Sequence, residues 1–238
     1  MSTRVVSLMA VVLVVMSGSV FASFTDGFEG GVGNWDYSYS GESLTAVSGG
    51  NPGNAGEYSV GLANGGVFVN KWASAWNSQL SYEVAQDTHV TIDMKVLEAG
   101  AAYTLSRNMT SIWTVGDRQG ISMALVGSDL NISVLGSDAT VPTFTSATMP
   151  AGVAVNWSGW NRYEIISDAG QLTIKINGGT LWSGAAKAGS DAFGTPGLRT
   201  GWTGHALLDN VSAALVVPEP VTAVLLLSGL GCLIRRKK

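Results

Sequence analysis

Carboxylates are the first residues to weigh for chemistry, because glycosidic hydrolysis needs an acid and a nucleophile or base flanking one bond. Glu164 and Asp168 are four residues apart and would share one face of a strand; Asp93 and Glu98 are five apart and would face opposite sides. Neither spacing makes a catalytic pair, and Glu164 with Asp168 reads as a solvated pair. The chain carries no Gly-x-Ser-x-Gly elbow, no His-Glu-x-x-His zinc motif and no phosphate loop. The single cysteine, Cys232, leaves no internal disulfide and no Cys–His nucleophile pair, and two histidines, His89 and His205, are too few for a His-based metal cluster. No catalytic residue is assigned, and a non-enzymatic protein is expected. A carbohydrate-active enzyme of glycoside-hydrolase type, its residues scattered along the sequence, is the alternative.

Aromatic faces offer a different chemistry, since they stack on the apolar faces of sugar rings. The chain has eight tryptophans, Trp35, Trp72, Trp76, Trp113, Trp157, Trp160, Trp182 and Trp202. Most are expected to fill a core or staple loops, Trp160 and Trp182 among them. Trp72, Trp76 and Trp202 lie amid Asn, Ser and Gly and are the candidates for glycan binding.

The elements that must hold these residues are strands. Apolar and polar residues alternate through Leu80–Val84, Val90–Val96, Ile121–Leu125, Leu130–Val134 and Leu172–Ile176. Asn177-Gly178-Gly179 lies between two such runs and predicts a hairpin turn. No stretch has a helical stripe. Some ten to thirteen short strands in one domain spanning residues 23–216 predict an antiparallel β-sandwich. The Gly/Ala/Ser-rich stretch Gly184–Gly197 is expected to be a long loop.

Both ends stand apart from that domain. Arg4, the apolar run Val5–Met16 and small residues before Ala22 make residues 1–22 an export signal peptide. At the other end, Pro218-Glu219-Pro220 breaks regular structure, Val221–Ile234 is free of charge, and Arg235, Arg236, Lys237 and Lys238 close the chain. As a helix those fourteen apolar residues rise about 21 Å, short of a bilayer core of about 30 Å, so spanning needs snorkelling or local thinning. The basic tetrad should stay cytoplasmic and the domain outside. Without the two ends, eight basic and sixteen acidic residues remain. That acidic balance argues against nucleic acid as a partner.

The three-part tail, residues 217–238, resembles the PEP-CTERM sorting signal. The resemblance implies recognition and processing by exosortase, a membrane enzyme of Gram-negative bacteria that make exopolysaccharide. The partners it implies are that enzyme, the secretion machinery and the membrane, with transient single-pass anchoring and delivery to the envelope or extracellular matrix. The domain is expected either to be a structural matrix protein or to bind glycan, with an exopolysaccharide or other glycan as the ligand in the second case.

Within the domain, Thr25–Gly31 with Trp35 is similar to the opening strand of carbohydrate-binding jelly rolls, and Leu207–Ser212 to their closing strand. Trp160–Ile165 followed by Leu172–Gly178 resembles the concanavalin-like, LamG-type sandwich. The jelly-roll resemblance implies a structural Ca2+ where the first and last strands meet, with Asp26, Glu29 and Asp209 as ligands.

Overall fold

Alternation of this kind gives every strand one apolar face, and two sheets must meet to cover those faces. A computed structural model of the chain shows that arrangement. It describes residues 23–33, 35–37, 42–51, 53–60, 65–69, 87–98, 102–109, 119–136, 142–187, 195–201 and 204–215. The signal segment 1–22, the sorting tail 217–238, the expected strand 80–84, and Trp72, Trp76, Trp113 and Trp202 lie outside the described residues.

One sheet has eight strands. Across it run β13 (Gly179–Ala185), β12 (Gln171–Ile176), β11 (Trp160–Asp168), β6 (Thr88–Val96), β15 (Gly204–Leu215), β4 (Gly53–Val60) and β3 (Glu42–Gly50), with β1 (Ser23–Asp26) also paired to β15. The other has seven: β10 (Thr143–Thr145), β9 (Asp129–Leu135), β8 (Gly120–Val126), β7 (Ala102–Met109), β14 (Thr195–Gly201), β5 (Gly65–Val69) and β2 (Trp35–Tyr37). Every pairing between them is antiparallel. The described part is thus an all-β sandwich with no helix. The strand between Gly184 and Gly197 that the sequence hid is β14, which starts at Thr195 and pairs with both β7 and β5.

The core is the sum of the inward sets. Ile92, Met94, Tyr163 and Ile174 of the first sheet and Tyr103, Leu105, Ile121, Met123 and Ile132 of the second are almost wholly buried. Burial of each large apolar side chain contributes about 1.5–3 kcal/mol. Asn177 (φ 50°) and Gly178 (φ 81°) form the predicted turn between β12 and β13, because a two-residue hairpin of this hand needs positive φ at both central positions.

One tryptophan is placed differently from expectation. On β11 the inward residues are Asn161, Tyr163, Ile165 and Ser167, so Trp160, one residue out of phase, stands half-buried on the outer face opposite Lys95. Among the described residues, Trp35 is the tryptophan buried within the core. It stacks on Phe28 with centroids 5.2 Å apart, and its indole Nε1–H donates to Asp26 at 2.8 Å. Trp182 is half-buried and packs against the core.

Candidate functional site

The outer face of the eight-stranded sheet is built by three neighbouring strands, β11, β6 and β15. Strand β6 turns Val90, Ile92, Met94 and Val96 inward, which leaves His89, Thr91, Asp93 and Lys95 outward. Register then sets the rows. Arg162, Asp93 and Asp209 lie directly across from one another, and Trp160 and Leu207 flank Lys95 in the row beside them. In the row on the other side, Glu164 faces Thr91, which faces Ser212.

Asp93 is the hub of that face. Arg162 donates Nε–H to its Oδ1 at 2.7 Å and Nη2–H to its Oδ2 at 2.9 Å, a bidentate fork. Asn210 Nδ2 adds a bond to Oδ2 at 3.0 Å and Asn51 Nδ2 a longer one at 3.3 Å. The two partners differ sharply in exposure: the side chain of Asp93 is 1% accessible, that of Arg162 54%. The carboxylate raises the Arg162 pKa, so the guanidinium stays charged and its orientation is fixed from below.

Asp209 is held by a break in the sheet. Strand β15 pairs with β4 through residues 204–208 and with β1 through 211–214, and a bulge lies between Asp209 and Ser212. Asn210 takes positive φ there (45°) and donates its backbone N–H to Asp209 Oδ1 at 2.7 Å. The Asn51 backbone N–H donates to Oδ2, and Asn210 Nδ2 ties back to the Asn51 carbonyl at 2.6 Å. Burial is the main cause that raises the Asp209 pKa; the two backbone donors oppose it, and the charges of Asp93 and Glu29 add to it.

A second brace fixes β11 from its other side. Asn177 Oδ1 accepts the Arg162 backbone N–H at 2.9 Å, and Asn177 Nδ2 donates to the Ala154 carbonyl and to Asn161 Oδ1. Asn161 in turn donates Nδ2–H to the carbonyls of Asn156 and Gly159. Trp160 and Arg162 therefore project from a strand start whose backbone is tied on both sides.

Of the three expected calcium ligands, Asp26 and Asp209 are placed on opposite faces. Asp26 shares the inner face with Phe24, and its oxygens accept the N–H groups of Phe28 and Trp35. Asp209 is on the outer face, with Glu29 near enough for its charge to act on it. Among the described residues no group of three or more His, Cys, Asp or Glu is placed to hold a metal. Glu164 is engaged by His89 Nε2 at 2.9 Å, and Asp168 is exposed at the end of β11.

The candidate glycan-binding tryptophans, Trp72, Trp76 and Trp202, lie outside the described residues. Sequence reasoning missed the Trp160–Arg162 pair, although its signal was present. The alternation of Tyr163 and Ile165 already sends Trp160, Arg162 and Glu164 outward.

No family model and no curated protein sequence matches the chain. Solved structures do match its fold. A sialidase is 10% identical with a TM-score of 0.50, over 82% of this chain and 18% of that one. A structure of botulinum neurotoxin type C is 10% identical with a TM-score of 0.46, over 83% of this chain and 47% of that one. A carbohydrate-binding module from Bacillus subtilis is 10% identical with a TM-score of 0.41, over 73% of this chain and 95% of that one. The chain thus spans less than half the length of the first two. At these identities the likeness is one of fold, a β-sandwich.

Proposed function

We propose that this is an exported, surface-sorted β-sandwich protein that binds glycans without transforming them, through the outer face of its eight-stranded sheet. The observation that carries the reading is Trp160 standing off the core beside Arg162, whose guanidinium is locked by a buried carboxylate. An aromatic face supplies stacking, a fixed guanidinium supplies oriented donors to hydroxyls, and neither needs to move on binding. The two ends of the sequence support export and exosortase-type processing of the 217–238 tail, with matrix or envelope as the destination. The sialidase likeness fits the fold such a protein would use and adds nothing about its ligand.

The alternative, a glycoside hydrolase, draws on Asp93 and Asp209, which face each other with the pKa of Asp209 raised. Both carboxylates are buried and engaged by Arg162, Asn51 and Asn210, so the binding reading has the better support.

Glycan-array binding of the mature protein tests it. Wild type should bind and Trp160→Ala should lose most of the signal while keeping its melting transition. Trp72→Ala and Trp202→Ala report whether those two tryptophans share the ligand. No binding, or a Trp160→Ala variant that binds as wild type does, would overturn the reading. Mass spectrometry of the protein from cells with and without the sorting enzyme tests processing; an intact C-terminus in both removes it.

A further inference from the structure

The chain is acidic, with a net charge of −4, yet among the described residues the outward cations of the eight-stranded sheet lie on three adjacent strands, β6, β11 and β12. Lys95 faces Trp160, Arg162 is two residues along the same face of β11, and Lys175 stands opposite Glu164 on β12. At a rise of about 3.3 Å per residue and a strand spacing of about 4.8 Å, Arg162 stands between the two lysines, about 8 Å from each along the backbone, and the lysines are about 16 Å from one another. Their counter-charges sit lower. Asp93 and Asp209 are buried, Glu164 is 17% accessible and engaged by His89, and Arg162 projects past them at 54%.

Arg162 also keeps unused donors. Its Nε and one Nη2 hydrogen go to Asp93, which leaves Nη1 and the second Nη2 hydrogen without a partner among the described residues. Those two nitrogens form a second fork, on the guanidinium's outer end, with the geometry that receives a carboxylate in two parallel bonds. The ammonium groups of Lys95 and Lys175 make no hydrogen bond or ion pair with the described residues. Beside this fork stands Trp160, a platform for the ring that would carry the carboxylate.

We infer that this face takes an anionic glycan whose sugars bear carboxylates, with Arg162 clamping the carboxylate, Lys95 and Lys175 supplying long-range attraction, and Trp160 stacking on the ring. The inference rests on the glycan-binding reading above and adds the ligand's charge class to it. Among the described residues of β7 to β10, the outer face of the other sheet carries no outward cation and sets Thr104, Ser122, Ser133 and Thr143 in one row.

The test compares the mature protein on two immobilised probes of matched length, polygalacturonate and a neutral β-glucan, at low and high salt. The expected result is preference for polygalacturonate, weakened at high salt because exposed charges are screened. Lys95→Gln with Lys175→Gln together should weaken polygalacturonate binding about tenfold and leave the melting temperature in place. Arg162→Lys keeps the charge but not the double fork and should lose a similar factor, which separates geometry from charge. Equal binding to both probes, or an unchanged affinity in the Lys95/Lys175 double variant, overturns the anionic assignment and leaves the glycan reading standing. Binding to neither probe, joined to a blank glycan array, sinks both.

Discussion

Across the outer face of the eight-stranded sheet runs a row of Arg162, Asp93 and Asp209; across that of the seven-stranded sheet runs Thr104, Ser122, Ser133 and Thr143. Both rows rest on the same alternating core, but they solve their polarity differently. In the first, charges are sunk under an exposed guanidinium and need Asn51, Asn210 and a bulge to satisfy them. In the second, neighbouring hydroxyls satisfy one another, with Thr104 Oγ1 donating to Ser122 Oγ at 3.4 Å and Ser133 Oγ bonded to Thr143 Oγ1 at 3.1 Å. Asp129, at the rim, is the charged residue of that face among the described residues of β7 to β10. A charged row concentrates consequences in few residues, whereas a hydroxyl row spreads small ones over many.

The sharpest way to break this contrast is at the one tight point of the hydroxyl face. Gly120 lies opposite Ser106, and a Cβ there would run into the Leu105 carbonyl oxygen, which belongs to the backbone and cannot swing aside. Gly120→Ala should cost about 3 kcal/mol in urea unfolding of the mature protein. A cost below about 1 kcal/mol would mean the β7–β8 pair can spread.

On the charged face, Arg162→Leu leaves Asp93 buried with only its amide donors. The expected loss is about 2 kcal/mol, less than for a fully buried pair because the guanidinium is half in water. Replacing both Arg162 and Asp93 by Leu should recover much of that loss, and a double-mutant cycle reads the coupling. Additive single effects would show that the pair is not a unit.

Asp209 gives a smaller, pH-resolved difference. Its pKa is raised in the folded protein, chiefly by burial, so the folded state holds that proton more tightly than the unfolded state does. Its contribution to stability is therefore most favourable below the ordinary carboxylate range and falls as pH rises through the interval up to the raised value. The stability of wild type relative to Asp209→Asn should decline across that interval and be flat on either side. A difference that does not change with pH would mean that Asp209 titrates as an ordinary carboxylate. Smallest of all, Ser122→Ala and Ser133→Ala should each change stability by no more than about 0.5 kcal/mol. If either matched Arg162→Leu, the two faces would not differ in the way described.

Period-two alternation was enough to place β6, β8, β9 and β12, and Asn177-Gly178 was enough for the hairpin from β12 to β13, because both signals are local. Strand β14 was not legible: its run of Thr195-Pro196-Gly197 reads as a loop and becomes a strand only between β7 and β5. The site was half legible. The outward phase of Arg162 follows from Tyr163 and Ile165, but its partner Asp93 is 69 residues away and Asn51 approaches Asp209 across 158. Trp160 was misassigned because a large aromatic suggests a core, whereas the phase of its own strand sends it out.

Ser23 sits beside Ala214, where the first and last strands run antiparallel. A load applied between these two points would part the four rungs of β1 in turn, as a zipper opens, rather than shear them together. Under tension this corner would yield first, while the two-sheet body behind it stayed whole.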